Sequence, residues 1–166
     1  RLKRIADAFQ DFPRVVEVRD ASWAEPEALE FIRDLGMNVA VLDMPLTKSS
    51  FREKAITTGD LGYLRLHGRN YDAWFDKDAD RDERYNYLYD EEELDFTMDR
   101  IEQLRDRARR VVTIWNNHYG GKAVVNAFQT LHRLTGEKVD VPAPLLQTYP
   151  QLREIAQDQS GPLFSQ

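Results

Sequence analysis

A chain of 166 residues, 42% hydrophobic and 31% charged, carries enough apolar surface for a folded core, while no apolar run approaches the length a bilayer requires. The absence of cysteine rules out disulfides and thiolate metal sites and makes a cytoplasmic location the expectation. A net charge of −6 disfavours sequence-independent binding to nucleic acid, which needs a basic surface to displace counterions, and no spacing of the His-Glu-x-x-His kind points to a metal.

In chain order, the opening segment places Leu2, Ile5 and Phe9 on one helical stripe, ended by Pro13. Val15 to Asp20 reads as a strand. Ser22, with Glu25 three residues on, has the form of a capping box; Ala28, Phe31, Ile32 and Leu35 supply the stripe of the helix that follows, and Gly36 stops it. A second strand is predicted at Asn38 to Asp43, mainly loop over 44–60, and a third strand over Gly62 to Gly68. A long polar stretch leads to Asp90 and Glu93, a second capping box, and to a helix striped by Leu94, Met98, Ile101, Leu104 and Ala108. Arg110 to Asn117 is the fourth strand. Gly120-Gly121 opens a helix striped by Val124, Ala127, Phe128, Leu131 and Leu134, and the proline-bearing residues 137–166 read as a C-terminal extension with one short helix.

Helices between consecutive strands imply parallel pairing, because a parallel connection needs a crossover. Strands covered on both faces tend toward unbroken apolar runs, yet these alternate: Glu17 and Arg19 with Val16 and Val18, Asp43 with Leu42, Arg65 and His67 with Leu64 and Leu66, Thr113 and Asn117 with Val112 and Ile114. The helices require the apolar face, so the polar set is expected on the other. In a barrel of alternating strands and helices that face is the lumen, and groups near the strand C-terminal ends line its mouth. A single strand of this kind is ordinarily an edge or a solvated face. Four in succession favour a cavity. A purely structural ion-pair network, Glu17 and Asp43 neutralising Arg19 and Arg65, fits the same pattern, since buried charges must be paired in either case. His118 in a turn and His132 on a helix read as surface or satisfied residues.

Four segments in this order, "VEVRDASW", "YLRLHGR", "RYNYLYDEEEL" and "WNNHYGGKAVVNA", resemble the C-terminal half of the YecE-like proteins, a family known as domain of unknown function seventy-two. The resemblance runs from about Val15 to Leu134. It implies an α/β fold of TIM type, with this chain supplying about four parallel strands, helices on their outer face, over residues 1–136. It also implies that Glu17, Arg19, Trp23, Arg65, His67, Gly68, Tyr87, Asn116, Asn117 and Asn126 occupy the family's motif positions. The family's His-Pro pair is replaced by Asp20-Ala21. No activity comes with the family.

An eight-stranded barrel typically takes about 250 residues, more than this chain holds, and a half barrel would expose two sheet edges. The start within a helical pattern and the lack of an initiator methionine suggest a fragment, completed by an N-terminal half or a second copy. Two arginines facing one cavity suit a carboxylate or phosphate. The turn "NNHYGGKA" ahead of a helix offers N–H groups to the same kind of ligand. The expected function is therefore an enzyme acting on a small anionic substrate, phosphorylated ones included, by hydrolysis or proton transfer. In it Arg19 and Arg65 hold the anion, His67 is acid or base, Glu17 or Asp43 is the partner carboxylate, Asn116 and Asn117 hydrogen-bond the substrate, and Trp23 and Tyr87 contact it. Tyr85, Tyr87 and Tyr89 either close over the ligand or pack the next helix. The competing expectations are a non-catalytic binding or scaffold protein and, by fold analogy, a metal-dependent nuclease or isomerase.

Overall fold

The computed structural model describes residues 1–80 and 82–157; the end of the predicted C-terminal extension, 158–166, lies outside the described residues. The helices are α1 (Leu2–Ala8), α2 (Pro26–Asp34), α3 (Tyr71–Phe75), α4 (Glu91–Arg105), α5 (Lys122–Thr135) and α6 (Ala143–Thr148), and the strands are β1 (Val15–Val16), β2 (Asn38–Asp43), β3 (Leu61–Leu66) and β4 (Arg110–Trp115). The strands form one four-stranded parallel sheet in the order β1-β2-β3-β4, an α/β fold.

The sheet is held against its helices by alternate side chains. Leu64 and Leu66 of β3 and Val41 of β2 pack with Leu94, Ile101 and Leu104 of α4. Val39 and Val18 pack with Ala6 of α1 and Ile32 of α2. A third cluster joins Val125 of α5 to Val139, Val141 and Leu152, so the segment after α5 folds back onto that helix, and Val139 and Ala156 form a parallel bridge.

Several local expectations meet a different outcome. The first strand is cut to Val15–Val16, because beyond it the chain leaves β2 and pairs with the following loop instead, Phe51 N–H donating to Arg19 O and Ala21 N–H to Ser49 O. Ser22 does not start the helix. Asp20 caps a 3-10 turn over Ala21–Ala24 by accepting from the Ser22 N–H, and α2 begins at Pro26, whose missing N–H costs nothing in a first turn. The stripe read on α5 is turned around: Val124, Leu131 and Leu134 are exposed, and the buried positions are Val125, Asn126 and Thr130. Ile5 and Phe9 are likewise exposed, α1 burying Ala6. The second capping box is present at Asp90 and Glu93, and α5 starts after Gly121, whose φ of +82° suits glycine. No helix of the described residues is long and apolar enough to cross a membrane.

Candidate functional site

Register divides the sheet into two faces. Leu42 of β2 and Ile114 of β4 lie beside Arg65 of β3, whereas Asp43 and Trp115 lie beside Leu66. Neighbours in a parallel ladder point the same way, so Leu42, Arg65 and Ile114 share the face turned away from the helices, together with Glu17, His67 and Asn116. The alternation expected for β1 and β3 therefore holds, and that for β2 and β4 is reversed by one residue. Asp43, Thr113 and Asn117 face the helices; Val112 and Ile114 do not.

On the inner face four side chains close a ring. Arg65 donates to Glu17 Oε2 at 2.6 Å and to Asn116 Oδ1 at 3.4 Å. With its oxygen committed to Arg65, Asn116 turns its amide nitrogen to His67 Nδ1 at 3.1 Å. His67 Nε2 faces Glu17 Oε2 at 3.8 Å and has no hydrogen-bond partner, although the residue is only 1% exposed. Arg19 flanks the ring, its Nε donating to Glu17 Oε1 at 2.9 Å. The facing imidazole and then, against the cost of burial, the Arg19 and Arg65 guanidiniums hold the Glu17 carboxyl well below the usual carboxylate range. Glu17 is thus an ionised anchor, too weak a base to take a proton near neutral pH.

Aromatic rings roof His67. Trp74 of α3 meets it edge-on at 6.0 Å between centroids, and Tyr85 lies between His67, at 6.1 Å, and His118, at 5.0 Å. Trp74 carried no signal at the sequence level, because its helix is only five residues long.

Asp43 instead anchors a second network on the helix-facing side. Its carboxylate accepts from Arg69 Nε and Nη2 at 2.8 Å each, from Arg100 Nη1 at 2.7 Å and from the Tyr89 hydroxyl at 2.8 Å. Burial opposes its ionisation, but Arg69, Arg100 and Tyr89 outweigh burial and keep its proton affinity below the ordinary carboxylate range. Arg69 also pairs with Glu93, which accepts from the Tyr87 hydroxyl. Tyr89 further accepts from the Gly68 N–H, locking the end of β3. Tyr87 and Tyr89 therefore pack and bond around α4 and do not close over the inner face.

Asn117 is fully buried on the helix side, donating to Tyr87 O at 2.9 Å and to Asn126 Oδ1 at 2.8 Å. Trp23 packs against the Ala6, Val18 and Ile32 cluster rather than reaching the ring. Of the residues singled out from the sequence, the structure thus brings together Glu17, Arg19, Arg65, His67 and Asn116, and places Asp43, Asn117, Trp23 and Tyr87 elsewhere. The opposite positions of Asp43 and Asn117 arise because each finds polar partners on the helix side, Arg69 with Arg100 for one and Asn126 for the other, that hydrophobic periodicity does not register. Among the described residues no group of three or more His, Cys, Asp or Glu converges to hold a metal ion.

Comparison with known proteins agrees with the four motifs. A DUF72 family protein from Thermotoga maritima superposes with a TM-score of 0.72 at 37% identity, covering 80% of this chain and 50% of that one. One from Enterococcus faecalis gives 0.71 at 28% identity, covering 84% and 53%. The UPF0759 protein YunF of Bacillus subtilis is 29% identical over 133 residues, 75% of this chain and 47% of that protein. The chain spans about half the length of these relatives. The family model described as "Protein of unknown function DUF72" matches residues 1–151, and the chain belongs to that family.

Proposed function

We propose that the inner face of the sheet is a small-molecule site that takes a small anion, with His67 donating a hydrogen bond to it. The observation that carries this reading is the closed ring of Glu17, Arg65, Asn116 and His67. Because Arg65 fixes the Asn116 amide, Asn116 donates to Nδ1, and the neutral imidazole then bears its proton on Nε2. That N–H is buried and faces the Glu17 carboxylate at 3.8 Å, beyond hydrogen-bond distance, so a ligand oxygen between them can complete it. Two guanidiniums share the single Glu17 carboxylate, so these three ionised side chains keep one positive charge, which a carboxylate would neutralise.

In this reading Arg19 and Arg65 hold the anion and His67 Nε2–H donates to the oxygen that gains electron density. Ionised Glu17 steadies the imidazole, and Asn116 fixes its tautomer. Proton transfer or hydrolysis of a small anionic substrate is the reaction class this serves. The chain acts as the C-terminal half of a TIM-type barrel, and the uncovered edges of β1 and β4 meet the rest of that barrel, from an N-terminal half or a second copy. What supports this is the open four-stranded sheet together with the coverage of about half of each relative.

The test is Arg65→Ala in the intact protein, with binding of inorganic phosphate and of acetate followed through the His67 ring resonances. Arg65 is part-exposed, so the fold should lose no more than about 1 kcal/mol. Anion-dependent shifts of His67 should vanish. Retained anion response, or a collapse of the fold with normal binding in what survives, would mark the ring as a structural ion-pair network. Catalytic turnover absent from every small anion tried, with binding intact, would favour the binding-protein alternative.

A further inference from the structure

Behind the ring, on the other side of the two central strands, the end of β2 and its loop, the start of α3 and the side of α4 enclose a cleft of about 600 Å³. That is a usual size for a small-ligand site. Its lining comes from the end of β2, the loop after it, the residues that follow β3, and α4, so neither edge strand lines it. Arg100 keeps the walls in place, donating to Leu42 O at 3.0 Å and Lys54 O at 3.1 Å as well as to Asp43. Two of these bonds tie the end of β2 and its loop to α4.

Its chemistry is two-sided. Met44, Leu46, Tyr71 and Phe96 supply an apolar wall, and the two rings are 52% and 54% exposed despite lying at a concave surface. The polar side includes two cationic donors, Arg69 and Lys54. Arg69 uses three of its nitrogens on Asp43 and Glu93, which leaves two of its N–H groups free, by the five that a guanidinium carries. The Lys54 ammonium makes no ion pair among the described residues. Glu53 and Asp99 also line the cleft, which sets a limit on ligand charge: a polyanion would meet them, while a single carboxylate need not.

We propose that this cleft binds a small aromatic carboxylate, its ring against Tyr71 and Phe96 and its carboxylate on Arg69 and Lys54. The site is separate from the inner-face ring and does not depend on it. The probe is 4-fluorobenzoate, its fluorine resonance titrated with the intact protein, beside the neutral 4-fluorobenzyl alcohol. Saturable binding of the acid is expected, weakened roughly tenfold by Lys54→Glu or by Phe96→Ser, as removal of a charge-assisted contact or of an aromatic wall should do. Arg65→Ala should leave it unchanged. Equal binding of the alcohol, no saturable binding of the acid, indifference to both cleft variants, or loss on Arg65→Ala would each overturn the assignment.

Discussion

Replacing Asp43 by Asn changes hardly any volume and removes one buried charge, which makes it a sharp test of the helix-side network. The carboxylate is 7% exposed and accepts hydrogen bonds from Arg69, Arg100 and Tyr89. With Asn there, one oxygen becomes a donor pointed at donors, and two guanidiniums lose their shared counter-charge. Removing one partner of a buried ion pair costs on the order of 3–5 kcal/mol. Arg69 is 30% exposed and can turn partly to water, so the lower end, about 3 kcal/mol, is the appropriate figure. At roughly 2–4 °C per kcal/mol for a chain of this size, the midpoint should fall by about 6–12 °C. Thermal and urea unfolding followed by circular dichroism at pH 7 measures this. The sign of the pH dependence follows from the direction of the Asp43 shift. Its folded-state proton affinity is depressed, so its stabilisation is complete above the unfolded value, about pH 4, and is lost as pH falls through the lower folded value. The gap between the native protein and Asp43→Asn should therefore narrow in acid. A loss under about 1 kcal/mol at pH 7, or a gap that stays constant into acid, would refute the view that Asp43 neutralises the two arginines.

Three further outcomes follow from the packing. Gly68 has φ of +92°, and an added Cβ would lie 2.7 Å from Tyr87 Cβ, so Gly68→Ala should cost roughly 2–4 kcal/mol in urea unfolding and shift the neighbouring His67 resonances. Asn126→Ala strips partners from both the Tyr89 N–H and carbonyl and from the Asn117 amide, for a loss of about 2–3 kcal/mol that should appear as a lower urea midpoint with an unchanged slope. Asp90→Ala deletes half of the capping box on α4 and should cost about 1 kcal/mol in the same assay without moving the midpoint of any anion titration.

The sequence was most readable where a local rule and burial pointed the same way. β2 falls on Asn38–Asp43 as expected, because the four apolar residues Val39 to Leu42 at its centre suit a strand buried along its whole length. The Asp90 capping box and the Gly121 entry to α5 are local signatures with their own chemistry. The faces of β2 and β4 were read one residue out. The rule that polar side chains leave the helix side fails where a polar group has a buried partner far along the chain. Asp43 meets Arg69 26 residues later and Arg100 57 residues later, and Asn117 meets Asn126 from the next helix. Ile114 misleads in the opposite sense: it lies on the inner face of an edge strand and remains 37% exposed, so its hydrophobicity does not mark the helix side. Glu17, Arg65 and His67 were found because β1 and β3 have no such exceptions. Asn116 came from the resemblance, and only the structure separates it from its neighbour Asn117.

The ring on the inner face joins residues separated by 48, 51 and 49 positions along the chain. Each of its links spans at least one strand–helix–strand crossover, so loop-closure entropy must be overcome twice before the last hydrogen bond can form. No pair of neighbouring elements can assemble it alone, whereas the Asp90 cap or the Gly121 turn can appear in a short peptide. His67 consequently serves as a clock for folding. Its ring resonances should reach native positions only in the slowest structural phase of refolding, after the helical signal has recovered, and a partly folded chain can present every helix of this protein without yet having closed this ring.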